Sequence, residues 1–144
     1  MMEAARWLVA FVSAGTGIGA LSVDYLMSTG RQHIRNPRWP PHAKFHNGQT
    51  IMMGLIQGVV ALVLLFGPGR LTLGRLLLAA IIGSVYWLAL FGARLFPGTA
   101  WTDPEFEAET PKPLGFHLQQ LLGFVLLVIL AAAIALAFLS GRYA

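Results

Sequence analysis

His33-Ile34-Arg35-Asn36-Pro37-Arg38-Trp39-Pro40-Pro41-His42-Ala43-Lys44-Phe45-His46-Asn47-Gly48-Gln49-Thr50 runs without a break into the apolar stretch Ile51-Met52-Met53-Gly54-Leu55-Ile56-Gln57. Three of the chain's 4 histidines and three of its 8 prolines fall in it. Pro40 and Pro41 suit the first turn of a helix, where a missing N–H leaves no bond unmade. A helix starting at Pro41 sets His42, His46, Gln49, Met53 and Gln57 on one face, at i, i+4, i+7, i+11 and i+15. The other faces carry Ile, Leu, Val, Ala and Gly. A polar stripe on a lipid-compatible helix is expected to meet a cavity or partner helices.

The rest of the chain fits this membrane reading. Of 144 residues, 56% are hydrophobic and 11% charged, and the mean hydropathy is +0.67. A soluble domain carries about 25% charged residues. Four apolar runs, at residues 7–27, 41–66, 73–96 and 114–139, are each long enough to cross about 30 Å of hydrocarbon. The expected fold is all-α: a single integral membrane domain built as a four-helix bundle. Arg6 precedes the first run. That run is too long for a signal-peptide core, and Asp24 interrupts the place of a cleavage site, so a retained helix is expected. The absence of cysteine excludes disulfides, thiolate-ligated haem and Cys-based zinc or iron–sulfur sites. The basic residues flank apolar runs, as in a membrane protein, and give no nucleic-acid patch.

Four spans put both termini on one side and the His-rich and acidic loops on the other. Arg6, Arg70, Arg75 and Arg142 lie on the terminal side; Arg31, Arg35, Arg38, Lys44, Arg94 and Lys112 lie on the other. The positive-inside rule turns the His-rich end toward the cytoplasm, here of a bacterial inner membrane.

Several residues carry two readings each. Ser13, Gly17, Ala20 and Asp24 share one face of span one, open to a neighbouring helix or a flat ligand. Asp24 is either an interfacial carboxylate near Arg31 or Arg35, or a group that orients a histidine or contacts substrate. Gly54 and Gly58 form a small-xxx-small pair for close helix contact. Tyr86 and Trp87 lie mid-span, either lining a pocket or buried with satisfied polar hydrogens. Loop 97–113, with Asp103, Glu105, Glu107 and Glu109, is either a solvated connector or a stiff lid over the site.

The histidines allow three chemistries. His42 and His46, one turn apart, present two imidazoles that His33 and His117 could join around zinc or non-haem iron. A single imidazole on an apolar helix can instead serve as the axial ligand of haem, most naturally between subunits. Or the histidines bond one another and the loop backbone, capping the bundle.

Residues Asp24 to Thr50, with His33, Asn36-Pro37, Trp39-Pro40-Pro41-His42, His46 and Gly48-Gln49-Thr50, resemble the signature of an uncharacterised family of small four-span membrane proteins. A more distant resemblance is to styrene oxide isomerase, whose second helix opens with a pattern matched by Ala43-Lys44-Phe45-His46-Asn47-Gly48. Trp87, the span lengths and the long third loop correspond as well. That resemblance implies a homotrimer holding haem b between subunits, with His46 as axial ligand; the small face of span one at Gly17, and Gly48 on span two, are the candidate residues to leave room for the macrocycle. The iron would act as a Lewis acid converting a small lipophilic epoxide to a carbonyl. The family's second-helix asparagine falls on Met52, and its third-helix aspartate and tyrosine fall near Val85 and Ala93. Asp24, Gln49 or Tyr86 would have to take over substrate positioning.

Overall fold

The computed structural model describes residues 1–141. Arg142, counted above on the terminal side, lies outside the described residues. Helix α1 (Met2–Leu21) continues through a π-helical turn (Ser22–Leu26) and a 3-10 turn (Ser28–Gln32). Helices α2 (Pro41–Phe66), α3 (Leu73–Gly92) and α4 (Leu118–Gly141) follow. All four are long and apolar enough to cross a membrane, and no strand occurs among the described residues. The protein is an all-α four-helix bundle of the membrane class.

Helix ends follow local chemistry. The first helix begins five residues before the apolar run, because Ala4 and Ala5 favour helix and Glu3 pairs with Arg6 one turn on, at 3.3 Å. The second begins at Pro41, preceded by Pro40 in extended conformation (φ −64°, ψ 155°). Thr72 caps α3 by accepting from the Arg75 N–H at 3.2 Å. The Arg75 guanidinium turns back to the end of α2, donating to the Pro68 carbonyl at 2.9 Å. The fourth helix starts at Leu118 rather than Leu114. Leu114 (φ 55°) and Gly115 (φ 81°) are both left-handed, which stops helix propagation. The His117 N–H is then capped by Gln120 Oε1 at 2.9 Å.

The helices pack in the ring α1–α2–α3–α4, with α1 also touching α3 across the diagonal. Small residues make that possible. A Cβ added at Gly17 would lie 3.6 Å from the Gly54 carbonyl, and one added at Gly58 only 2.7 Å from the Ser13 carbonyl. The α1–α2 contact is therefore backbone against backbone, the arrangement that dispersion favours when lipid replaces water. Val9, Val12, Leu65, Leu76, Ala79, Leu130 and Ala133 fill the core. Trp87 is buried among them, its Nε1–H donating to Thr16 Oγ1 at 2.8 Å. Phe11, Ile18, Ile56, Val59, Leu88 and Phe124 stay exposed on the outside, as expected where the surroundings are hydrocarbon.

Candidate functional site

The polar end of the bundle is built from the α1–α2 connection, loop 97–113 and the starts of α2 and α4. Its first part is the π-helical turn, which adds a residue to the turn carrying Asp24 and redirects its side chain. Asp24 Oδ2 accepts from Asn47 Nδ2 at 3.0 Å, and Asp24 Oδ1 lies 3.6 Å from His33 Nε2. Neither Arg31 nor Arg35 is its partner. Arg31 pairs with Glu109, while Arg35 donates to the Met27 carbonyl. The Asp24 hydrogen bond goes to Asn47, and His33 stands at ion-pair distance on the other carboxylate oxygen. The His33 ring stands edge-on to Trp39, with centroids 6.3 Å apart.

Two salt links bring the connection and the acidic loop together: Arg31 with Glu109, and Arg38 with Glu105. Asn36 is buried between them. Its Oδ1 accepts from the Arg38 N–H at 2.9 Å, and its Nδ2 lies 3.5 Å from Glu105 Oε1. Asn36-Pro37-Arg38 thus forms an Asx turn that fixes where the Arg38 side chain departs. Lys112 bonds Glu107 within the loop and, chiefly through that hydrogen bond, holds the Glu107 carboxyl below the usual range.

Beside these ion pairs lies a cavity of about 600 Å³ whose lining includes His33, Trp39, Trp101, Thr102 and His117. His117 Nδ1 is 3.1 Å from Thr102 Oγ1. Two imidazoles from distant parts of the chain therefore line one cavity, His117 within hydrogen-bond distance of Thr102 and His33 at 3.6 Å from Asp24. An adjoining cavity of about 380 Å³ lies between α2, α3 and the loop, lined by Gln57, Tyr86, Leu90 and Arg94 among others. Trp101 and Gln119 line both cavities, and Gln119 donates to the Trp101 carbonyl.

The remaining residues singled out by the sequence lie elsewhere. His42 and His46 are exposed on the outer face of α2, their Nε2 atoms 3.0 Å apart, and His46 Nδ1 is 3.2 Å from Gln49 Oε1. Gln49 and Met53 are exposed on the same outer face, so this part of the stripe points away from the bundle's own interior. His33, His42, His46 and His117 do not converge, and no group of three or more His, Asp or Glu that could hold a metal ion occurs among the described residues. Gly17 is buried against α2, so the small face of span one is taken up by helix packing. Gly48 faces Ile34 of the connection. Tyr86 lines the smaller cavity, whereas its neighbour Trp87 is core.

Asn47, Thr102, Trp101 and Gln119 were not anticipated. Asn47 had a signal: it precedes Gly54 and Gly58 by 7 and 11 positions, which puts it on the face that meets α1. The other three depend on how the acidic loop folds back, which no periodicity encodes.

A family model matches residues 8–137, all but the ends of the chain. The protein belongs to a family of unknown function, DUF6640. The matched residues hold every group described above, from Asp24 to Gln119, so both cavities are built from the family's own segment. No curated protein and no solved structure matches the chain.

Proposed function

We propose that the protein is an integral membrane isomerase that rearranges a small lipophilic substrate in the larger cavity. His33 and His117 transfer protons, and Asp24 orients His33. The observation that carries this reading is that His33 and His117, from distant parts of the chain, line a single cavity. Two positioned bases, one entering protonated and one neutral, let a site give a proton at one point of a substrate and remove one at another. An isomerisation needs that and nothing more.

For an epoxide the balance closes. The protonated imidazole gives its proton to the ring oxygen as one C–O bond breaks. A hydride moves from the carbon bearing the new hydroxyl to the cationic carbon. The neutral imidazole then takes the hydroxyl proton, leaving a carbonyl isomeric with the substrate. Trp39 and Trp101 supply apolar walls beside the developing cation. The charge balance of the loops turns this end toward the cytoplasm.

A second reading is favoured by the exposed His42–His46–Gln49 stripe. An imidazole row at the start of a membrane helix, turned away from its own bundle, suits an interface between subunits in a homo-oligomer, a trimer by the styrene oxide isomerase likeness. In that setting His46 would hold haem b, which supplies a Lewis acid for the same epoxide opening. Within one subunit the fit is incomplete. Gly17 is covered by α2, and His46 Nε2 is engaged with His42. The same two imidazoles give zinc or non-haem iron only two donors.

The test is turnover of a panel of aryl and alkyl epoxides by the purified protein, with the carbonyl product read by gas chromatography. Under the acid–base reading, His33→Gln and His117→Gln each lower kcat by roughly 10²–10⁴-fold, and His46→Ala leaves it unchanged. Loss confined to His46→Ala, together with loss of a Soret band that His42→Ala retains, moves the chemistry to haem. If no epoxide in the panel is rearranged, the isomerase reading fails and a non-catalytic binding or assembly role takes its place.

A further inference from the structure

Asn47 has no part in the proton transfer proposed above, yet it makes the shorter of the two contacts to Asp24. Its Nδ2 donates to Asp24 Oδ2 at 3.0 Å, while Asp24 Oδ1 lies 3.6 Å from His33 Nε2. Three elements meet in this row: the start of α2, the π-helical turn and the connection that follows it. The orientation of the Asn47 amide follows from charge. Turned over, it would set its oxygen against a carboxylate oxygen, with no hydrogen between them.

The amide is a poor choice for packing alone. Asn47 Oδ1 is buried without a hydrogen-bond partner, so the bond to Asp24 comes with an unpaired carbonyl, which offsets what that bond contributes to stability. Nor is the bond needed to hold the backbone. The π-helical turn closes through the Met27 N–H, which donates to the Ser22 carbonyl at 2.8 Å. The His33 N–H donates to the Gly30 carbonyl at 3.1 Å, and the His33 carbonyl accepts from the Asn36 N–H at 2.8 Å. The α1–α2 crossing rests on Gly17, Gly54 and Gly58. What Asn47 adds is the direction of the Asp24 carboxylate, whose side-chain torsions are otherwise free to turn it.

That direction has a chemical consequence at His33. A carboxylate accepts and does not donate, so beside Nε2 it favours the tautomer with the proton there and the lone pair on Nδ1. The Asp24 and His33 side chains are only 13% and 29% exposed, so water screens the carboxylate weakly. We infer that Asn47 is a positioning residue: by fixing Asp24 it makes His33 the base of the two imidazoles, with Nδ1 as the accepting atom. The proton released as the carbonyl forms goes to Nδ1, its bonding pair stays on the oxygen, and the resulting imidazolium faces the Asp24 carboxylate. His117, whose neighbour is the neutral Thr102 hydroxyl, is left as the acid. The part concerning turnover rests on the isomerase reading; the tautomer of His33 does not.

The experiment is nitrogen-15 NMR of the full chain, labelled at histidine and held in lipid nanodiscs, in alkaline buffer where imidazole is neutral. The His33 ring signals are assigned by their absence from His33→Gln. In the wild type they should show a protonated Nε2 and an unprotonated Nδ1. Asn47→Leu, close in size and without a donor, should shift His33 to a mixture of tautomers while the His117 signals stay in place, which reports an intact bundle. If Asn47→Leu does not fold, Asn47→Ser, polar but too short to reach Asp24, reads the same change. Asp24→Ala should have the same effect, and adding Asn47→Leu to it should change nothing further. In epoxide turnover Asn47→Leu should lower kcat by roughly 10–100-fold with KM unchanged. A wild-type His33 with its proton on Nδ1, or a tautomer that both Asn47 variants leave untouched, overturns the inference. A tautomer that shifts as expected in a protein that rearranges no epoxide upholds the role of Asn47 and removes only the isomerase reading.

Discussion

Replacing Gly58 by alanine should weaken the bundle at its tightest crossing, and the structure sets the scale. The new Cβ would sit 2.7 Å from the Ser13 carbonyl oxygen and 3.2 Å from Gly17 Cα, where ordinary contact begins at 3.4 Å. Both obstacles are backbone, so no side chain can turn aside. The α1 and α2 backbones must part by roughly half an ångström or more, and overpacking of this kind costs about 1–3 kcal/mol. Alanine also gains up to about 1 kcal/mol of helix propensity over glycine, which would mask part of the loss. Gly15→Ala removes that ambiguity: a Cβ there meets nothing within 4 Å, so it reports propensity alone. The expected difference between the two variants is therefore about 1–3 kcal/mol, with Gly58→Ala the weaker. Gly54→Ala, whose Cβ would lie 3.3 Å from both Ala20 Cβ and the Thr16 carbonyl, should fall between them. Reversible unfolding in mixed micelles, followed by far-ultraviolet circular dichroism, measures the series. Equal stability of Gly58→Ala and Gly15→Ala would refute the backbone-on-backbone packing of α1 and α2.

Two further outcomes can be read independently. Asp24→Asn keeps the shape but removes the charge facing His33, so epoxide turnover should fall while helix content and membrane insertion hold; unchanged kcat would leave Asp24 with no role in orienting His33. Single cysteines replacing Arg35 and Glu107 should react with an impermeant maleimide from the same side of sealed vesicles, because Arg38–Glu105 and Arg31–Glu109 tie their loops together; reaction from opposite sides would break the four-span topology.

The fold was largely legible because the bilayer simplifies the code. Four apolar runs of spanning length leave few architectures, and Pro40-Pro41 and Gly67-Pro68-Gly69 mark both ends of α2 in the sequence itself. The start of α4 was less legible. Leu114 and Phe116 continue the apolar run, and only the left-handed backbone at Leu114 and Gly115 shows that the helix waits for the His117 cap. The site was legible in parts. Asp24 and His33 were recognisable as a possible orienting pair, but the π-helical turn that sets their distance has no sequence period to reveal it. The stripe from His42 to Met53 was correctly placed on one face of a helix, yet periodicity states only that a face exists. Which way it turns was set by the glycines: Gly54 and Gly58 claim the approach to α1, and that rotates the histidines outward. His117 and Thr102 meet because loop 97–113 folds back under its ion pairs, a tertiary event invisible to local pattern.

The proposal that His33 and His117 act as one proton-transferring unit is tested most directly by the double variant. Turnover of an epoxide substrate should be compared among the wild type, His33→Gln, His117→Gln and the doubly substituted protein. Residues that work as a unit are strongly non-additive, since removing either already disables the pathway they share. The account predicts that the double variant is slower than the worse single variant by no more than a few-fold. Losses that multiply, or single variants that retain wild-type turnover, would contradict it.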